Sequence, residues 1–254
     1  LALANLARAS ANVGRVGDAR AVLEEASTAF DAQGGNMDIM RANLTASMLG
    51  QLGDARGALA ALADLDAEAS PIGVPTELLV SKGLAYVQNG RPEEAMDVLE
   101  IALDPERHEG APGDEGARTY AMAIMAIARA AVGDVDGAIE MGSQVPSRQL
   151  GTYLDATYAD IGVALAHAQA RRGSDAAAVL DRATARVDAS EDRLTQAIVR
   201  LARAHALARL DDPGAASATA EARARFEALG VEPYGWETAF ASAVSGEVPE
   251  PAGG

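Results

Sequence analysis

His167 and Arg171, then His205 and Arg209, form two pairs with the same internal spacing of four residues, set 38 residues apart. Four residues is about one helical turn, so on helices each pair would present an imidazole and a guanidinium on one face. Paired guanidinium groups hold carboxylates bidentately. The chemistry this suggests is capture of a carboxylate or acidic segment at a locally basic surface. A competing reading makes Arg171 and Arg209 solvated ends of long helices, favourable beside the negative end of the helix dipole. The histidines lack any cysteine partner, and the nearest carboxylate, Asp160, lies almost two turns before His167, so packing is expected of them rather than metal binding. His108, among Glu106, Glu109, Asp114 and Glu115, is a still weaker cation candidate.

Neither a phosphate-binding glycine loop nor a nucleophile motif accompanies these residues. GDEG and GSQVPS lack the lysine and the preceding strand of a phosphate loop, and no Gly-x-Ser-x-Gly or HExxH occurs. We therefore expect no enzyme and no cofactor. Lys and Arg total 21 against 37 Asp and Glu, a net charge of -16. Such a field repels phosphate backbones and anionic lipid, which argues against nucleic-acid and membrane-surface partners. Zero cysteines exclude disulfides and fit a cytoplasmic location. The longest apolar run, Tyr120 to Val132, is broken by Arg129 and falls short of the roughly 20 residues a spanning helix needs. Lys82 is the single lysine, an arginine-for-lysine bias associated with a bacterial source, and a start at Leu1 suggests a fragment of a longer chain.

The elements that must position the candidate residues are visible in TYAMAIMAIARAAVGDVDGAIEMG, Thr119 to Gly142. It reads as an Ala-rich helix, a Gly-Asp turn at Gly133 and Asp134, and a second amphipathic helix. Two helices joined so briefly lie antiparallel, and each leaves an apolar stripe that only another hairpin can cover. Comparable turns at Gly17, Gly53, Gly90, Gly133, Gly173 and Asp211 are separated by 36, 37, 43, 40 and 38 residues. Seven residues before each stand Ser10, Ala46, Gly83, Ala126, Ala166 and Ala204; five after stand Val22, Ala58, Ala95, Ala138, Ala178 and Ala216. Small residues there would let two helix backbones cross closely. Asp18, Asp54, Asp134 and Asp212 are expected as N-caps rather than as catalytic carboxylates.

QLGDARGA (Gln51 to Ala58), QNGRPEEAMDVLEIALD (Gln88 to Asp104) and AVGDVDGAI (Ala131 to Ile139), with Gly83 and Tyr86, resemble the turn and second-helix signature of the tetratricopeptide repeat family. The spacing exceeds that family's 34 residues, and no repeat carries its consensus Trp. The resemblance implies an all-α, right-handed α-solenoid of about six antiparallel hairpins, at 1–35, 36–70, 74–104, 116–146, 150–188 and 190–229. A capping helix at 230–246 and a disordered tail at 247–254 would follow, and 104–116 would be a surface loop. It also implies a concave groove, lined by first helices, that binds a protein or peptide. Six residues before each turn the groove would present Leu84, Ile127, His167 and His205, with Arg171 and Arg209 one turn further on. A carboxylate clamp for a chaperone C-terminus is not expected, because its lysine and asparagine positions hold other residues.

The expected function is thus a protein-interaction scaffold. The alternative is a ligand- or partner-sensing module of a larger bacterial signalling or transcription-regulating protein. Tyr234, Trp236 and Phe240 hold the single Trp and are expected to plug the end of the last hairpin with Phe226 and Leu229. The other reading of these rings is a docking surface for another domain or a second copy.

Overall fold

Six helix-ending turns of one kind organise the chain. In each, a residue with positive φ (Gly14, Gly53, Gly90, Gly133, Arg171 or Asp211) donates its N–H three residues back, and the next residue donates five residues back. The five-back bonds measure 2.8–3.0 Å, from Arg15 N to Ser10 O through Asp212 N to Leu207 O. This is the Schellman motif, which satisfies the last carbonyls of a helix and reverses the chain. The computed structural model describes residues 2–31, 37–63, 75–104, 115–145 and 152–245.

Each turn joins a hairpin: α1 (Ala2–Asn12) with α2 (Val16–Asp31), α3 (Met37–Gln51) with α4 (Ala55–Ala63), and α5 (Thr76–Gln88) with α6 (Pro92–Leu103). Then follow α7 (Glu115–Ala131) with α8 (Val135–Gln144), α9 (Tyr153–Gln169) with α10 (Gly173–Asp188), and α11 (Arg193–Arg209) with α12 (Ala215–Leu229). A final helix, α13, spans Tyr234–Ser245. The described residues are helical or irregular, with no strand among them. The expected link at 70–74, most of the loop with His108, and the tail lie outside them.

Two of the six turns differ from their expected positions. Gly17 lies inside α2, and Gly173 is the first residue of α10, while the left-handed residues are Gly14 and Arg171. A Gly-Asp pair reads alike in a turn and at a helix start, and in the fifth hairpin the left-handed residue is not glycine at all. The observed turns sharpen the small-residue pattern. Seven before them stand Ala7, Ala46, Gly83, Ala126, Ala164 and Ala204, all buried. Five after stand Ala19, Ala58, Ala95, Ala138 and Ala176, none more than 1% exposed, and then Ala216, which is exposed. Ala178 is exposed too, and Val22 is only half-buried, so neither is a crossing residue.

The close approach is literal. A Cβ on Gly83 would lie 2.7 Å from Leu99 across the α5–α6 crossing, and one on Gly162 would lie 2.9 Å from the Ala126 and Ile127 backbone of α7. First helices pack side by side from α3 through α5, α7 and α9 to α11, and each second helix touches the next first helix. The first and last hairpins also meet, α1 against α11, where a Cβ on Gly14 would stand 2.8 Å from Leu229.

Capping follows local sequence. Asp54 Oδ1 accepts from Gly57 N at 2.9 Å and Asp134 Oδ1 from Gly137 N at 3.0 Å. Asp212 accepts from Gly214 N at 2.7 Å, closing the turn before α12 rather than capping the helix. Asp18 is the third residue of α2 and faces its dipole instead of capping it. Thr152 and Asp155 add a reciprocal capping box at α9.

The last helix departs from the expected terminal cap. A seventh turn at Gly230 (φ 65°), with Val231 N donating to Phe226 O at 3.1 Å, sends α13 back across α5, α7, α9 and α11. It covers the first-helix face instead of the end of the row. None of the described helices is long and apolar enough to cross a membrane.

The turn assignment makes opposite predictions for two glycines. Gly162→Ala should cost about 1–3 kcal/mol by overpacking the α7–α9 contact. Gly17→Ala, which meets nothing within 4 Å, should gain about 0.4–1 kcal/mol from reduced unfolded-state freedom. Urea denaturation reads both, and a destabilised Gly17→Ala would return the left-handed turn to Gly17.

Candidate functional site

The first-helix face is held together by amides and rings. Gln88 and Gln169, each two residues before a turn, donate to carbonyls of the preceding first helix: Gln88 Nε2 to Gly50 O at 2.8 Å and Gln169 Nε2 to Ala130 O at 3.3 Å. Both acceptors lie three residues before the preceding turn, so the same bond recurs between neighbouring hairpins. Onto this face α13 lays Trp236 and Phe240, both fully buried, one helical turn apart. The Trp236 indole donates to Gln51 O at 3.0 Å and stacks on Tyr158 with centroids 5.4 Å apart and planes 11° apart. Tyr120 continues the row at 5.8 Å from Tyr158, and Phe240 adjoins Trp236 at 5.5 Å. Gly235 N donates to Gly53 O at 3.1 Å, and a Cβ on Gly235 would stand 2.6 Å from that oxygen. Two glycines therefore let α13 seat against the second turn.

This seating decides where the sequence candidates lie. Leu84 and Ile127 are 2% and 0% exposed, so they are core residues and not groove contacts. His167 and His205 do not share a register. Counted from the true turns, the position of His205 in the fifth hairpin belongs to buried Leu165, and His167 lies two residues further on. Arg171 is not on a first helix but in the turn, with φ 60°, and its guanidinium pairs with Asp211, the corresponding turn residue of the next hairpin, at 2.6 Å. Arg209 is the last residue of α11. His205 and Arg171 therefore line separate clefts and do not share one carboxylate site. Asp160, weighed above as a metal neighbour of His167, is buried and engaged by Arg182 and by Arg186 at 2.7 Å, which occupies both its oxygens.

His205 has a different neighbourhood. Its ring meets Phe240 edge-on at 6.2 Å, and it lines a cleft of about 1160 Å³ between α13, the last hairpin and the second turn. Arg20, Leu52 and Arg56 come to this cleft from the first two hairpins, Leu201 and Arg223 from the last, and Tyr234 from α13. Arg223 is paired with Glu237 at 3.4 Å. Burial lowers the His205 pKa from its usual range; Glu237 opposes that effect and Arg223 adds to it. Burial also lowers that of His167, against Asp175 and with Arg172. Burial and a hydrogen bond to Asp192, at 2.7 Å, raise the Tyr153 phenol.

Sequence reasoning missed the cleft because its walls come from segments as remote as Arg20 and Tyr234. The available signals were Trp236 and Phe240 one turn apart and the glycines Gly53 and Gly235. No group of three or more His, Cys, Asp or Glu residues able to hold a metal ion occurs among the described residues. No protein-family model, curated protein or solved structure matches the chain.

Trp236→Ala should cost about 3–5 kcal/mol, because the indole fills a fully buried site, and chemical denaturation followed by circular dichroism measures it. His205 generates a pH effect of known sign. Its folded pKa lies below the unfolded value, so its contribution to stability is complete above about pH 6.5 and is lost as pH falls. Between pH 7 and 5 the denaturation midpoint of His205→Gln should therefore drop less than that of the parent chain, and equal drops would contradict the assignment.

Proposed function

We propose that this chain is a tetratricopeptide-like scaffold, a right-handed α-solenoid whose hairpins present a surface to a protein or peptide partner and catalyse no reaction. The observation that carries this reading is α13 itself: the first-helix face already holds a helix, anchored by one indole, one backbone carbonyl and close glycine contacts. A face made of repeated first helices with periodic amide bonds suits recognition of another segment, since each hairpin adds a similar increment of surface. The net charge of -16 directs the choice away from nucleic acid and anionic membranes.

With α13 resident there, the partner does not lie in an open central groove. It meets the outer side of α13 and the cleft beside it. This arrangement also suits the second reading, a sensing module of a larger bacterial regulatory protein, because a ligand in the cleft would touch the first two hairpins, the last hairpin and α13 together.

Panning the intact chain against a displayed library of random 16-residue peptides tests the scaffold reading. The expected result is enrichment of peptides that compete for one surface with Kd on the order of 1–100 μM. No enrichment over bead-only selection would remove the scaffold reading.

A further inference from the structure

Resting on the scaffold reading, the geometry points to the class of partner: we infer that the cleft between α13, the last hairpin and the second turn receives an acidic peptide bearing apolar side chains, its carboxylates on Arg20 and Arg56.

The charge distribution supplies the first argument. Three guanidinium groups of α11 and α12 are engaged: Arg200 by Asp188 at 2.8 Å, Arg203 by Asp181 at 2.5 Å, Arg223 by Glu237 at 3.4 Å. Arg20 and Arg56, both exposed and both lining the cleft, make no ion pair among the described residues. The acids nearest them in sequence are Asp18 and Asp54, each two residues away; Asp54 also lines the cleft and uses Oδ1 to cap α4. Arg20, Arg56 and Arg223 line the cleft against Asp54, Glu232 and Glu237, so on a chain carrying -16 its charge is locally balanced, and the unpaired Arg20 and Arg56 are the groups there that would hold a carboxylate. Glu232 and Glu237 stand on the α13 side, so they repel carboxylates from that wall and set the peptide's acids toward the hairpin side.

The apolar and polar lining supplies the second. Tyr234 is 67% exposed on the cleft, the most exposed of the large hydrophobic side chains described, whereas Leu52 and Leu201 are buried behind the lining, so the tyrosine ring is the apolar contact the cleft offers. Asn89 uses its amide nitrogen to bond Ala85 O at 2.7 Å, which leaves its amide oxygen as an acceptor at the wall for a backbone N–H. A volume of about 1160 Å³ exceeds the range usual for small-molecule sites, roughly 300–1,000 Å³, and suits a segment of several residues.

The test uses the full chain and fluorescence anisotropy with three labelled, end-capped decapeptides. One alternates Glu with Leu and Phe, one has Gln for every Glu, and one has Lys for every Glu. The Glu peptide should bind about tenfold or more tighter than the Gln peptide, and the Lys peptide should not use Arg20 and Arg56 at all. Arg20→Gln with Arg56→Gln should weaken the Glu peptide by about tenfold or more and leave the Gln peptide unchanged. Arg172→Gln, exposed and outside the cleft, should change neither. Both substituted arginines are exposed, so helicity by circular dichroism should match the parent. Equal binding of Glu and Gln peptides, or indifference of the Glu peptide to the double substitution, overturns the proposal. If panning yields competing peptides whose binding ignores Arg20 and Arg56, the scaffold reading stands and the acidic-peptide site falls.

Discussion

Close contact between paired helix backbones is the constraint on which the rest of this structure depends. An alanine or glycine seven residues before the left-handed turn of each hairpin, and an alanine five residues after it, let the two helices of a hairpin cross without side chains between them. The chain has few aromatic residues, 4%, to build a core from large rings. It buries apolar area through many small contacts instead, and the interior tolerates added volume poorly for that reason. The last hairpin marks where the constraint relaxes. In α12 only Ala222 and Phe226 are buried, and Ala216 is exposed, because the next helix, α13, lies on α5, α7, α9 and α11 instead of covering α12.

Onto this small-residue framework α13 brings two of the four large rings that are fully buried. Trp236 and Phe240 join Tyr158 and Tyr120 in one continuous row, so the contacts longest in sequence are also the most aromatic. The indole bond to Gln51 O spans 185 residues and ties the second hairpin to the last helix. A buried indole N–H needs such a partner, and a helix-terminal carbonyl beside a Schellman turn supplies one. The same placement turns the face expected to be open into an interior, and moves the accessible surface to the cleft along the exposed side of α13.

Ion pairs play a smaller part in the fold than their number suggests. Arg171 with Asp211 and Arg203 with Asp181 are largely exposed, and such pairs contribute about 0–1 kcal/mol each. Asp160 with Arg182 and Arg186 is different, because its carboxylate is buried and loss of either arginine would leave a poorly paired charge. The electrostatic feature on which the proposed peptide site rests is charge left unpaired in the cleft, at Arg20 and Arg56, and not the sum of the pairs.

The sequence by itself determined the helical hairpins, the small residues at their crossings and the Asp54 and Asp134 caps. All of these depend on neighbours within about one or two helical turns, and a local pattern is enough to specify them. It placed four of the six turns correctly, but Gly17 and Gly173 drew two of them away from Gly14 and Arg171. A left-handed Arg171 is costly as an isolated residue, and it is held there by the five-back hydrogen bond from Arg172 N and by the packing of α9 on α10. Only the tertiary structure decided that α13 lies on α5, α7, α9 and α11, that Leu84 and Ile127 are interior, and that Arg20 and Tyr234 share a cleft. An amphipathic helix specifies that an apolar face must be covered; which distant surface covers it is settled by long-range burial among competing faces, and no local spacing records that outcome.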